Sequence, residues 1–357
     1  MFCSTSTLST STLPELAFSS IKVMYSRDEC IVAVSDFYDF VGKMFMDVQS
    51  SIIYPPSDGW PNMTPEVMGC LGKNEEVISL LRHLPYLEDK PYSERPDCLP
   101  NECRPLDWKT TVDNLKDGEE DNEGVLFQTE GQVHRFGDRI PKHCVGLMDV
   151  VTESGDGIQN VMLLDVENGL VYWMDCPKHV LEACEPKPSS SVSPLVGEAE
   201  AEKGDKADVT GRGDEDESDD KVSDNETETG ETETPPTSND DNDENEEEES
   251  EKDEEEEESV SSDYCGVKWG PCWPVRDFFA MLKNHFVKLN WIPYSPRAII
   301  DIWTDETSSG LVIPEGLPQL LQSVYRKHGW PDLEVYKKEE CLAELKQVLH
   351  EKYPDFH

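Results

Sequence analysis

The sequence predicts an α+β fold: a small, mainly antiparallel sheet packed with helices and interrupted by a long acidic insertion. Three observations predict it. Short β-prone runs cluster between Gly124 and Met174, separated by turn residues rather than helical crossovers, which favours antiparallel pairing. Apolar stripes with a 3.6-residue period flank that region on both sides. From Gly197 to Val260 the chain carries 31 acidic and 5 basic residues. Such a block has too little apolar surface to offset the entropy of ordering, and its like charges keep it extended and solvated.

Taken in order, residues 1–30 read as a flexible, Ser/Thr-rich N-terminus and 31–186 as the N-terminal part of the α+β domain. Residues 187–262 read as a disordered acidic linker, and 263–357 as a helical part that completes the same core. The rival division is two domains on a tether, because charge runs commonly sit between domains.

A first helix is expected over Ser35–Val48. Phe37, Phe40, Val41, Met44, Phe45 and Val48 share one face, and Ser35 is the N-cap. Thr64-Pro65 marks a second helix. A third, Glu75–Leu84, is capped by Asn74 and stopped by Pro85. Residues 87–123 read as a Pro-rich loop with a short helix near Trp108. Val125–Phe127, Val145–Val151 and Val161–Val166 read as strands. Asn168-Gly169 supplies the tight turn of a hairpin over Val161–Met174. Beyond the acidic segment, Val275, Phe278, Phe279, Leu282, Phe286 and Leu289 form a helical stripe. Ala298–Trp303 reads as a buried strand, Leu317–Lys327 as a helix ending at His328-Gly329, and about 333–353 as the last helix.

The net charge is −45, and −19 of it remains outside the acidic segment. A nucleic-acid binder presents a basic face, and an anionic membrane attracts one, so both partner classes are disfavoured. The natural complement is a basic protein partner. Eleven cysteines form no Cys-x-x-Cys pair, the N-terminus lacks the basic and apolar regions of a signal peptide, and no run of 18 apolar residues occurs. The expectation is a cytoplasmic or nuclear protein with reduced cysteines, most of them inert core groups.

Candidate chemistry is sparse. Cys98, Cys103, His134 and His143-Cys144 hold the residue types of a metal site, but their spacings match no zinc ribbon or finger. Cys144 beside His143 is disfavoured as a nucleophile, since neighbours on a strand point to opposite faces. Asp149 and Asp165 are expected to face solvent rather than to pair as acid and base. Asp241-Asn242-Asp243 lacks the Gly and Glu of a calcium loop, and Arg212-Gly213-Asp214 matters only outside a cell. No Walker loop, nucleophile elbow or His-Glu-x-x-His occurs, so no catalytic, cofactor or metal residue is assigned. Ser223, Ser238 and Ser250, each with an acid three residues on, are phosphorylation candidates, and Ser193-Pro194 and Thr234-Pro235 are proline-directed contexts. Eight tryptophans either line a peptide groove or, as is commoner for Trp, cover the core.

Leu71-Gly72-Lys73-Asn74-Glu75-Glu76-Val77, Leu81-Arg82-His83-Leu84-Pro85-Tyr86 and Val324-Tyr325-Arg326-Lys327-His328-Gly329-Trp330-Pro331 resemble runs in uncharacterised fungal proteins that carry a variable acidic insert. The Leu164–Tyr172 segment, Leu-Asp-Val-Glu-Asn-Gly-Leu-Val-Tyr, is similar to a hairpin of the SUKH superfamily, which includes fungal Smi/Knr cell-wall-synthesis regulators and bacterial toxin-immunity proteins. The resemblance implies an α+β interaction module without a catalytic centre, and carries over no functional residue. The expected function is a non-catalytic, intracellular protein-interaction or regulatory adaptor. The alternatives are an acidic chaperone-like binder of histones or other basic proteins, and an enzyme of unrecognised type.

Overall fold

In the computed structural model the described residues are 25–47, 51–88, 98–100, 103–131, 140–149, 161–189, 269–295, 298–307, 310–354 and 356. The acidic segment, with Ser223, Ser238 and Ser250, lies outside them, as does His134.

Helix α1 (Arg27–Met44) opens at Ser26, whose Oγ accepts from the Glu29 amide at 3.4 Å, with Asp28 and Glu29 in the first turn. This corrects the start expected at Ser35. Ser35 is an interior residue, and its hydroxyl donates to the Ile31 carbonyl at 2.8 Å. The apolar stripe simply continues back through Val34, Ala33 and Cys30, all buried. A two-stranded ladder, β1 (Ile52–Ile53) with β2 (Tyr86–Leu87), brackets α2 (Pro65–Met68) and α3 (Glu75–Leu81). Asn74 Oδ1 caps α3 by accepting from the Val77 amide at 2.9 Å.

The Pro-rich stretch read as a loop holds β3 (Arg104–Pro105) and α4 (Trp108–Asp117), capped by Asp107. Val125–Phe127, expected as a strand, is instead the middle of α5 (Asn122–Glu130). Asp121 Oδ1 accepts from the Gly124 amide at 2.8 Å and starts that helix. Three consecutive apolar residues carry no period, so the cap decides.

The main sheet runs in the order β3, β4 (Cys144–Asp149), β5 (Met162–Asp165), β6 (Leu170–Trp173), β7 (Cys272–Pro274), antiparallel throughout. Gly169, at φ 65°, makes the β5–β6 turn as the Asn-Gly pair predicts. Helix α6 (Lys178–Ala183) follows β6, and β7 adds to its edge from beyond the acidic segment. The sheet is apolar on both faces. Met162, Leu164, Val171 and Trp273 join the large core with α1 and α7 (Val275–Val287). Val161, Leu163, Tyr172 and Cys144 form a second cluster with Trp269 and Cys272.

Helix α7 lies against α1. The Phe37 and Phe279 rings meet in a tilted contact with centroids 5.5 Å apart, Arg276 pairs with Glu29 at 2.8 Å, and Lys283 pairs with Asp36. A second ladder, β8 (Trp291–Ser295) with β9 (Ala298–Asp301), leads to α8 (Leu317–Lys327) and α9 (Lys338–Lys352). The last helix starts five residues later than its expected start near Leu333. Leu333 and Val335 lie exposed in the turn before it. Lys338 fixes the start by donating to the Gly42 and Met46 carbonyls at 2.8 and 2.7 Å.

Candidate functional site

Two places hold side chains arranged for more than packing. The first lies where β4 begins. Cys144 and Asp165 are register partners across β4 and β5, so both side chains leave the same face of the sheet. His143 sits one residue before β4, and its carbonyl accepts from the Val166 amide at 2.9 Å. One donor atom from each of His143, Cys144 and Asp165 lies within 4.8 Å of the others, and all three residues are buried.

The turn explains the aspartate. Asp165 Oδ1 accepts from the amides of Glu167 and Asn168 at 2.9 and 3.0 Å, and Oδ2 accepts from Asn168 Nδ2 at 2.7 Å. This corrects the expectation that Asp165 faces solvent. The hairpin folds its own N–H donors onto the carboxylate, an Asx turn that makes burial tolerable. His143 is less well served. Its Nε2 stands 4.0 Å from Asp165 Oδ1 and its Nδ1 3.6 Å from Glu167 Oε1, and neither nitrogen has a hydrogen-bond partner.

Lys73 approaches from the loop before α3. It donates to the Cys144 carbonyl at 3.0 Å and pairs with Glu130 at the end of α5. Burial is the main reason the Glu130 carboxyl titrates above its ordinary range, with Lys73 opposing it. Burial, then the charge of Asp165, pushes the Cys144 thiol well up. A thiol held protonated and fully enclosed is a poor nucleophile.

The expectation that His143 and Cys144 diverge is also corrected. His143 lies outside the strand, where strict alternation no longer applies. Cys98 and Cys103 belong to the large core, whereas Cys144 lies in the second cluster. Asp149 lies at the far end of β4.

The second place surrounds Trp303. Seven tryptophans are buried, as their core-covering role predicts, and Trp303 alone among the eight is exposed, at 40%. Its amide donates to Asp301 Oδ1 at 3.1 Å, and Asp301 Oδ2 meets His179 Nε2 at 3.0 Å. The Trp303 ring lies 5.3 Å from the His179 ring and 6.0 Å from that of His285. His285 in turn stacks on Trp291 at 4.5 Å. Asp305 and Glu306 follow, both exposed. A cleft nearby, lined by Asp301, Trp291, Trp173 and Pro177, has room for about one water molecule.

His285 makes the region sensitive to acid. Burial, reinforced by Lys288 and His179, lowers its pKa from 6.5 to about 4. Between those values the unfolded chain binds the extra proton and the folded chain does not. The contribution is therefore complete above 6.5 and declines as pH falls toward 4. About 2–3 kcal/mol of stability is expected to disappear across that window. Urea unfolding of the wild type and His285→Phe at several pH values checks it. The variant should show a shallower pH slope, and equal slopes would contradict the assignment.

The sequence counts Trp303 among eight groove-or-core tryptophans and puts it at the end of a buried strand. The structure corrects the strand, which ends at Asp301 and leaves Trp303 exposed. Sequence reasoning missed Lys73–Glu130 and the burial of Asp165. Only Asp165 left a local trace: an Asp three residues ahead of Asn168-Gly169 is placed to accept the turn amides. The geometry defines a mixed α+β protein with mainly antiparallel sheets. No protein-family model, no curated protein and no solved structure matches the chain. Among the described residues no helix is long and apolar enough to cross a membrane.

Proposed function

We propose that the chain is a non-catalytic, intracellular protein-interaction module, a regulatory adaptor of the kind that the SUKH resemblance implies. The observation that supports this reading is Trp303. Binding hot spots are enriched in tryptophan, and an aromatic already held in place loses little freedom when a partner arrives. Trp303 is held by the Asp301 turn and the two histidine rings. With Asp305 and Glu306 beside it in sequence, the ring suits a lysine or arginine, which gains a cation–π contact on the face and a carboxylate near its head.

A second reading, an acidic chaperone-like binder of histones or other basic proteins, is favoured by the 31 acidic residues of 197–260. The two readings separate in one experiment. The full chain, Trp303→Ala and a deletion of 197–260 are used as baits, and the affinity of each identified partner is measured. The adaptor keeps its partner on deletion and loses about 30-fold in affinity with Trp303→Ala, equivalent to roughly 2 kcal/mol. The charge-driven binder shows the reverse, together with a steep loss of binding as salt rises. Binding indifferent to Trp303→Ala sinks the adaptor reading at this face.

A further inference from the structure

We propose that His143, Cys144 and Asp165 bind one divalent transition-metal ion of the zinc class. The argument begins with His143. It is 2% exposed, and both ring nitrogens lack a hydrogen-bond partner. A neutral imidazole has one donor and one acceptor to satisfy, and leaving either unmet in the interior is costly. The groups it faces are not neutral fillers but a carboxylate on each side, Asp165 toward Nε2 and Glu167 toward Nδ1.

A metal resolves both vacancies at once. Nε2 binds the ion beside Asp165 and the Cys144 sulfur, while Nδ1–H donates to Glu167. That is the arrangement in which an outer carboxylate fixes the tautomer and orientation of a ligating histidine. Tetrahedral ligands around zinc stand about 3.3–3.6 Å apart, given bond lengths of about 2.0–2.3 Å. The three donor atoms lie within 4.8 Å of one another, so rotamer adjustments of about 1 Å each close the set. Asp165 keeps its turn while binding, because a carboxylate offers about four lone-pair directions and three are used.

Charge and donor type select the ion. The ion displaces the proton of the Cys144 thiol to the solvent as the Co–S or Zn–S bond forms. A divalent cation with one thiolate and one carboxylate is neutral, which suits a buried position. Nitrogen and sulfur ligands favour zinc or cobalt over calcium and magnesium, which require oxygen. The ion joins the start of β4 to the β5–β6 turn, a structural role, with water filling the fourth position and Glu167 kept as the acceptor of the His143 Nδ1–H.

The test is titration of the reduced full chain with cobalt(II) alone, in excess magnesium to occupy the acidic segment. The expected result is one equivalent bound, with tetrahedral visible bands and a thiolate-to-cobalt charge-transfer band, displaced by zinc. Cys144→Ser removes the charge-transfer band, and Cys70→Ser leaves it. Glu167→Gln, at a side chain 59% exposed and so tolerant of change, weakens binding about 10-fold. The proposal is overturned if no such band forms or if it survives Cys144→Ser. Should Cys144→Ser not fold, Glu167→Gln and His143→Ala decide, and unchanged cobalt affinity in both overturns it.

Discussion

Gly146→Ala is expected to cost about 3 kcal/mol or more, the upper range of what overpacking does to a core. A methyl group on Gly146 meets the Thr129 carbonyl oxygen at 1.8 Å, the Thr129 carbonyl carbon at 2.9 Å and Leu106 Cδ1 at 2.8 Å. Leu106 can rotate, but Thr129 is backbone in the last turn of α5. Strand β4 cannot retreat either, since Gly146 pairs with Leu163 and its carbonyl accepts from Trp108 Nε1 at 2.9 Å. Relief therefore requires α5 to lift from the sheet, carrying Val125 and Glu130 with it. The midpoint of thermal unfolding should drop by roughly 6–12 °C. Gly118→Ala is the control. Gly118 has φ 74° and open space around it, so its cost is only the left-handed conformation, about 1 kcal/mol. Near-equal destabilisation by the two variants would show that α5 does not press on β4.

That contact also shows what a sequence can and cannot announce. Helix α8 is legible to the residue because its ends carry local punctuation, a Pro in the first turn and His328-Gly329 after the last. The β5–β6 hairpin is legible because Asn168-Gly169 names its turn. Helix α1 was visible as a stripe but not in its start, since Ser26 and Ser35 are chemically equal caps and only the packing of Cys30, Ala33 and Val34 chooses between them. Nothing local marks Gly146 as the crossing point of a helix, nor the pairing of β7 with β6 across the acidic segment. The cluster at His143 depends on register in the same way. Cys144 and Asp165 meet because β4 and β5 pair at that offset and not one residue away, where the side chains would part to opposite faces.

Lys73→Met should destabilise the protein by about 3–5 kcal/mol near neutral pH, the cost of leaving one buried charge without its partner. The Lys73 and Glu130 side chains are 2% and 5% exposed, so water cannot replace the lost ammonium. Lys73 also satisfies the Cys144 carbonyl, adding about 1 kcal/mol to the loss. The two contributions separate in the double variant Lys73→Met/Glu130→Leu. It has no orphaned charge and retains only the carbonyl's deficit, so most of the stability should return. Acid should rescue the single variant in part. Burial holds the folded Glu130 pKa above its ordinary 4.5 even with Lys73 opposing, and without Lys73 it rises further. Between 4.5 and that raised value the folded state binds the extra proton, so its stability is greatest at low pH and falls as pH increases through the window. The gap between Lys73→Met and wild type, measured by urea unfolding between about pH 5 and pH 8, should therefore widen with pH. A gap that stays constant, or a double variant no more stable than the single one, would mean that the pair is not what holds α5 against the loop before α3.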